Sequence, residues 1–168
     1  MIIQIDIARL LITNALEHLM AAEKLHNSRK ENLIDEAEEC IQAIILFQSA
    51  MEAIITEEIE NEKKLKKVFK ENSELARTHH SLSFKNKWLR SFDVLLVKDR
   101  KSLNAYLKFY TDYRLPISHP KGRYLSLEKY RFKETLNGIK NGWQTIELLY
   151  KSLEKNYQSF DEYWKKSR

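Results

Sequence analysis

The stretch FKETLNGIKNGWQTIELLYKSL, residues 132–153, decides the fold. Phe132, Leu136, Ile139, Trp143, Ile146, Tyr150 and Leu153 recur at spacings of 4, 3, 4, 3, 4 and 3. That is a heptad seam, the pattern of a helix lying along its neighbours, and it predicts a long helix over about 126–155. Gly138 and Gly142 stand inside it. Each glycine costs about 1 kcal/mol relative to alanine in a helix interior. The reading is that another helix approaches this smooth strip closely, within the bundle or across a dimer; a ligand lying on the strip is the alternative.

Helical spacing extends outward from that seam. Ile3, Ile7, Leu10, Leu11, Ala15, His18, Ala22 and Leu25 predict a first helix over about 2–26. Ile34, Ala37, Ile41, Ile44, Ile45, Gln48, Met51, Ile55 and Ile59 predict a second from about 32 to 67, with its charged end, EIENEKKLKKVFKEN, projecting into solvent or frayed. Residues 71–83 lose the pattern and read as a connection. A third helix over about 83–97 carries Phe84, Trp88, Phe92, Leu95 and Leu96, with Ser83 as its cap. Asp99 is placed to cap a fourth, bearing Leu103, Tyr106, Leu107, Tyr110 and Tyr113. This helix is expected to stop near Leu115, because Pro116 has no N–H and disfavours helix in the residue before it. Pro120 and Gly122 follow, so 116–124 reads as a loop. Ser159–Trp164 adds a final turn.

Composition agrees with an all-α, up-and-down bundle of four to five principal helices in one domain, with its core over about 2–155 and a C-terminal tail over 156–168. The 168 residues are 43% apolar and 32% charged, enough for a hydrophobic core. Only 3 Gly and 2 Pro leave too few turn formers for a sandwich or barrel and exclude a Gly-rich phosphate loop. The single cysteine, Cys40, excludes an intrachain disulfide framework and a multi-cysteine zinc site; it reads as an inert buried thiol. No run approaches 18 apolar residues, so no membrane span is expected. MIIQIDIARLLI lacks the charged start of a signal peptide, and the expected setting is cytoplasmic.

The net charge of +5 is unevenly spread. Residues 1–60 hold 4 Lys/Arg against 12 Asp/Glu, and residues 61–168 hold 25 against 12. A basic C-terminal two-thirds points modestly to a polyanion such as RNA, or to an acidic partner; on charge alone the favoured reading is two oppositely charged faces on helices that pack together or dimerise.

The candidate site is Asp112-Tyr113-Arg114-Leu115-Pro116-Ile117-Ser118-His119-Pro120-Lys121-Gly122-Arg123. An arginine closes a helix, four residues intervene, and a histidine stands in the following turn. This resembles the Arg-x4-His motif of the HEPN superfamily, whose members are helical bundles. The second helix, AIILFQSAMEA over 43–53, is similar to the HEPN helix that sets a glutamate, here Glu52, in an apolar stripe. The order of helices is also similar, and the likeness covers about residues 5–155. The resemblance implies a metal-independent endoribonuclease of toxin or phage-defence type, with the motifs of two subunits meeting in a homodimer cleft. It also implies RNA as substrate and a cognate antitoxin or regulatory protein as partner, with no cofactor. His119 is assigned acid/base work, since an imidazole titrates near neutrality. Arg114 is assigned the phosphate clamp, since a guanidinium stays charged and holds two oxygens at once. Lys121 and Arg123 would hold the backbone, with Ser118 beside them, and Tyr113 or Tyr124 would stack on a base. Many catalytic members carry a polar residue directly after the arginine; here it is Leu115. Members without nuclease activity also exist, and the alternative is a noncatalytic module that binds a protein, a nucleotide or RNA.

Glu52 needs a cation if it faces inward, and Arg114 is the expected one. His18 is expected in the core and His26 at a helix C-terminus. His79-His80 read as surface loop, and Lys63-Lys64-Leu65-Lys66-Lys67 as a solvated helix end. Glu38-Glu39 and Glu57-Glu58 lack the Glu-x-x-His spacing of a di-iron bundle, so no metal site is expected.

Overall fold

The computed structural model describes residues 6–28, 32–71, 83–119 and 124–167. It is all-α, a bundle with no strand among the described residues. Helix α1 (Ile7–His26) and α2 (Leu33–Asn61) form a hairpin packed along its length. Asp6 caps α1 by accepting the Arg9 N–H at 2.9 Å. Helix α2 is the central element. Its Ala37, Cys40, Ala43, Ile44, Phe47, Ala50, Met51, Ile54 and Ile55 are all buried. On length and composition alone α2 could cross a membrane, contrary to the sequence expectation, but half of that apolar window is buried inside the fold.

The chain breaks at Glu62, where the backbone is extended, and α3 (Lys63–Glu71) starts a new direction. The charged end of the second helix therefore does not fray into solvent. Leu65 and Phe69 repeat at a spacing of four and are buried, so α3 lays an apolar edge on the core and turns Lys63, Lys64, Lys66 and Lys67 outward. Residues 72–82, with His79 and His80, lie outside the described residues. Helix α4 (Phe84–Val94) opens on Ser83, whose hydroxyl accepts from the Asn86 N–H. It ends with Leu96 at φ 55°, where the Val97 N–H reaches Phe92 and the Leu96 N–H reaches Asp93. That is a Schellman cap built without glycine.

Helix α5 (Lys101–Phe109) follows, with Asp99 accepting the Lys101 N–H at 3.0 Å. A π-helical turn over Tyr110–Arg114 then leads into α6 (Leu115–Ser118). Helix α7 (Phe132–Ser152) comes after a 3-10 turn at Leu127–Lys129, six residues later than the sequence suggests. Its C-terminus repeats the Schellman cap, with Glu154 at φ 57°. Helix α8 (Phe160–Ser167) closes the chain.

The heptad seam faces inward as expected: Ile139, Trp143 and Ile146 are buried. The glycines have their reason in α2 and α5. A Cβ at Gly142 would stand 2.5 Å from Phe47 and 2.7 Å from Tyr106, and one at Gly138 would strike the Phe109 ring. Close helix approach within the bundle, not a ligand, occupies the strip.

Candidate functional site

The motif's helix does not stop at Leu115. A proline at 116 cannot donate to the carbonyl of Asp112, and its ring crowds that carbonyl. The chain answers by widening one turn. The Leu115 N–H reaches back five residues to Tyr110, and Thr111 Oγ1 donates to the Leu107 carbonyl at 2.9 Å. The orphaned Asp112 carbonyl accepts from Lys129 Nζ at 2.8 Å, and the Tyr113 carbonyl accepts from the Tyr130 hydroxyl at 3.2 Å. With those bonds in place α6 continues through Pro116 to Ser118. The expected loop over 116–124 is corrected to that extent, and the reason is the π-turn, which periodicity does not signal. Such turns collect at functional sites.

Arg114 therefore sits at the junction of the π-turn and α6, not at the helix end. Its Nε is buried without a hydrogen-bond partner, and it forms no ion pair among the described residues. Its charge acts on the phenols of Tyr106 and Tyr110, opposing the burial that pushes both upward. Tyr106 in turn donates to Gln48 Oε1 at 3.0 Å. Arg114 itself is half-buried. His119 is the residue that leaves α6. Its N–H bonds the Leu115 carbonyl at 2.7 Å, and its ring is exposed with no side-chain partner among the described residues.

Ser118 Oγ is turned back to the Arg114 and Leu115 carbonyls at 3.4 and 3.2 Å. Tyr113 stacks on Phe109 at 4.7 Å and meets Tyr130 edge-on, while Lys129 lies 5.6 Å from its ring. One face of Tyr113 is therefore used by the protein, and burial raises its phenol. Tyr124 is 85% exposed. Lys121 and Arg123, assigned to the polyanion backbone, lie outside the described residues, as do Pro120 and Gly122.

Glu52 does face a cation, but it is Lys87 rather than Arg114. The Lys87 ammonium, on α4 and largely buried, donates to Glu52 Oε1 and to Thr56 Oγ1. Glu52 still lies close enough to act on Tyr110, so it and Arg114 share that neighbour without pairing. The sequence reading missed Lys87 because a lysine on an amphipathic helix ordinarily reads as solvated surface. It missed Lys129 because the carbonyl it serves exists only in the π-turn.

Two other expectations change or sharpen. His18 is not in the core: its side chain is 38% exposed and bonds Glu39 at 2.6 Å. His26 does end α1, where it meets Glu36 at 3.0 Å. Glu36, buried on α2, also accepts the Arg131 Nε at 3.1 Å and the Phe132 N–H at 2.9 Å, so it caps α7 from another helix. Burial alone would raise its carboxyl; these donors outweigh that and hold it below the ordinary carboxylate range. No group of three or more potential metal ligands occurs among the described residues.

Fold and site together define a helical bundle carrying an arginine and a histidine five residues apart, at the two ends of a short proline-bearing helix that follows a π-turn. Comparison of this chain with protein-family models, curated proteins and solved structures yields no match.

Proposed function

We propose that the chain is a HEPN-like, metal-independent endoribonuclease of toxin or phage-defence type, acting as a homodimer. One observation supports this above the others. Arg114 is a charged group that the described fold leaves unpaired, with a buried Nε still lacking an acceptor, and His119 stands exposed at the end of the same short helix. A buried donor without a partner costs about 1–3 kcal/mol. A phosphate docked on the guanidinium would give this charge the partner that the described fold does not supply.

In the proposed reaction His119 takes the proton of an RNA 2′-hydroxyl. The 2′-oxygen attacks the adjacent phosphorus, the bond to the 5′-oxygen breaks, and that oxygen leaves with the proton carried by the His119 imidazolium. A 2′,3′-cyclic phosphate and a 5′-hydroxyl result. Arg114 stabilises the charge that builds on the phosphorane, and Lys121 and Arg123 grip flanking phosphates. In the cell, a cognate antitoxin or regulatory protein would restrain the activity.

Purified protein incubated with single-stranded RNA in EDTA should cut it, and His119→Ala should abolish cutting with the helical CD spectrum unchanged. Cleavage that survives His119→Ala, or that requires added metal, refutes the assignment.

The second reading is a noncatalytic HEPN-like module that binds a protein, a nucleotide or RNA. Leu115 favours it, since a half-buried leucine occupies the position after the arginine where many catalytic members are polar. It predicts no cleavage by wild type, and binding weakened by Arg114→Ala.

A further inference from the structure

Away from the motif lies a cavity of about 1150 Å³ among α1, α2, α7 and the segment leading to α8. None of Tyr113, Arg114, Ser118 or His119 lines it. Its wall is aromatic. Tyr150 and Tyr157 stack at 4.9 Å, and Trp143 meets Tyr157 at 5.6 Å and Tyr163 at 5.1 Å. The Trp143 indole N–H is committed to the Gln158 carbonyl at 2.9 Å, so only its ring faces the space. The Tyr150 and Tyr157 hydroxyls have no hydrogen-bond partner among the described residues, and burial pushes Tyr150 up to about 12 and Tyr157 higher.

The rim is acidic. Asp6, Glu57 and Glu58 line the cavity, against Arg9 as the one lining cation among the described residues. Glu58 is committed to Lys155, which binds it and Glu62 at 2.6 Å each. Glu57 has no ion pair among the described residues. Asp6 acts on both phenols, and Glu57 acts on Tyr150. This potential repels phosphate, so a nucleotide or an RNA backbone does not suit the cavity. It suits a cation; Lys155, outside the lining, already sets its Nζ 6.0 Å from the Tyr150 ring.

We infer that this cavity binds an organic cation of the alkyl-polyamine class. The methylene chain lies on Trp143, Tyr150 and Tyr157. One ammonium donates to Glu57 and another to Asp6 or to the phenol oxygens, which accept no hydrogen bond among the described residues. A quaternary ammonium would use the rings but has no N–H for those acceptors; Mg²⁺ would use the carboxylates but not the rings.

Spermidine titrated into the whole protein at physiological salt, followed by calorimetry and by Trp143 fluorescence, should bind one to one with saturation. Glu57→Gln should weaken binding about threefold, the scale of one solvent-exposed pair of charges. Glu57 is exposed, so its variant should unfold at the wild-type temperature and any loss of binding is local. Tyr157→Phe should weaken binding further. An absent or non-saturating response, unchanged affinity in Glu57→Gln, or equal displacement by Mg²⁺ at matched charge would each overturn the inference.

Discussion

Replacing Gly142 with alanine sets two effects of opposite sign against each other. Helix propensity alone favours the change by about 1 kcal/mol. The structure predicts the reverse. The new methyl would stand 2.5 Å from Phe47 Cε1 and 2.7 Å from Tyr106 Cε2, where ordinary contact begins at 3.4 Å. The shortfall is about 0.9 Å on one side and 0.7 Å on the other. Neither ring can swing away cheaply. Phe47 and Tyr106 are 1% and 2% exposed, they meet each other edge-on at 6.0 Å, and Tyr106 is tied to Gln48. Overpacking of this kind costs about 1–3 kcal/mol. With both neighbours fixed the upper half of that range applies, leaving a net loss of about 1–2 kcal/mol. For a chain of this size that is a fall in Tm of about 2–8 °C. Urea unfolding followed by far-UV CD measures it, with Gln144→Ala on the exposed face of the same helix as the control for propensity. Pairing Gly142→Ala with Phe47→Leu should recover part of the loss, because the two sites are in contact and do not add. If Gly142→Ala is as stable as wild type or more so, the close approach of α7 to α2 and α5 is not as described.

Four further outcomes follow from groups already placed. Glu36 has a folded pKa below its unfolded value, so its stabilisation is present above the unfolded pKa, near 4.5, and is lost as pH falls through the folded one; urea midpoints from pH 6 to 3 should drop less steeply in Glu36→Gln than in wild type. Leu96→Gly should stabilise by about 0.5–1 kcal/mol, since the left-handed backbone at φ 55° penalises leucine and the side chain is 81% exposed; an unchanged or lower urea midpoint would contradict this. Burial raises the Cys40 thiol to about 11, so it should not react with a disulfide reagent at pH 8 until urea unfolds the chain. Glu52→Ala strands the buried Lys87 ammonium and should cost about 1–3 kcal/mol, with strong coupling to Lys87→Met in a double-mutant cycle.

Much of the fold is legible in the chain because burial and periodicity are the same signal in α1, α2 and α7. Residues such as Ile44, Met51, Ile139 and Ile146 must be inside, and spacing says so. Gly138 and Gly142 announce a close approach, because a mid-helix glycine is unfavourable unless something needs the space of its missing Cβ; that the neighbour is a helix and not a ligand is legible only in the structure. The break at Glu62 is not legible, because EIENEKKLKK reads as continuous helix and only the docking of Leu65 and Phe69 turns it. The glycine-free Schellman caps at Leu96 and Glu154 are hidden too, since the usual marker residue is absent.

The site is harder to read, and Pro116 shows why. A proline removes one donor and crowds one carbonyl, and from sequence the cheapest answer is to end the helix. That answer assumes that nothing else serves the Asp112 carbonyl. Lys129 does serve it, from 17 residues away, and the Tyr130 hydroxyl serves the next carbonyl, so the helix continues. The same long-range supply decides Glu52. Its acidity called for a cation, and Arg114 was the expected one, but Lys87 is the residue that reaches it, from α4. Arg114 is left with a buried, unpartnered Nε because its expected partner is taken. Double-mutant cycles separate the two arrangements: Glu52 and Arg114 should add to within about 0.5 kcal/mol, whereas coupling between them as large as that of Glu52 with Lys87 would return Arg114 to a structural role and remove the charge on which the proposed phosphate clamp depends.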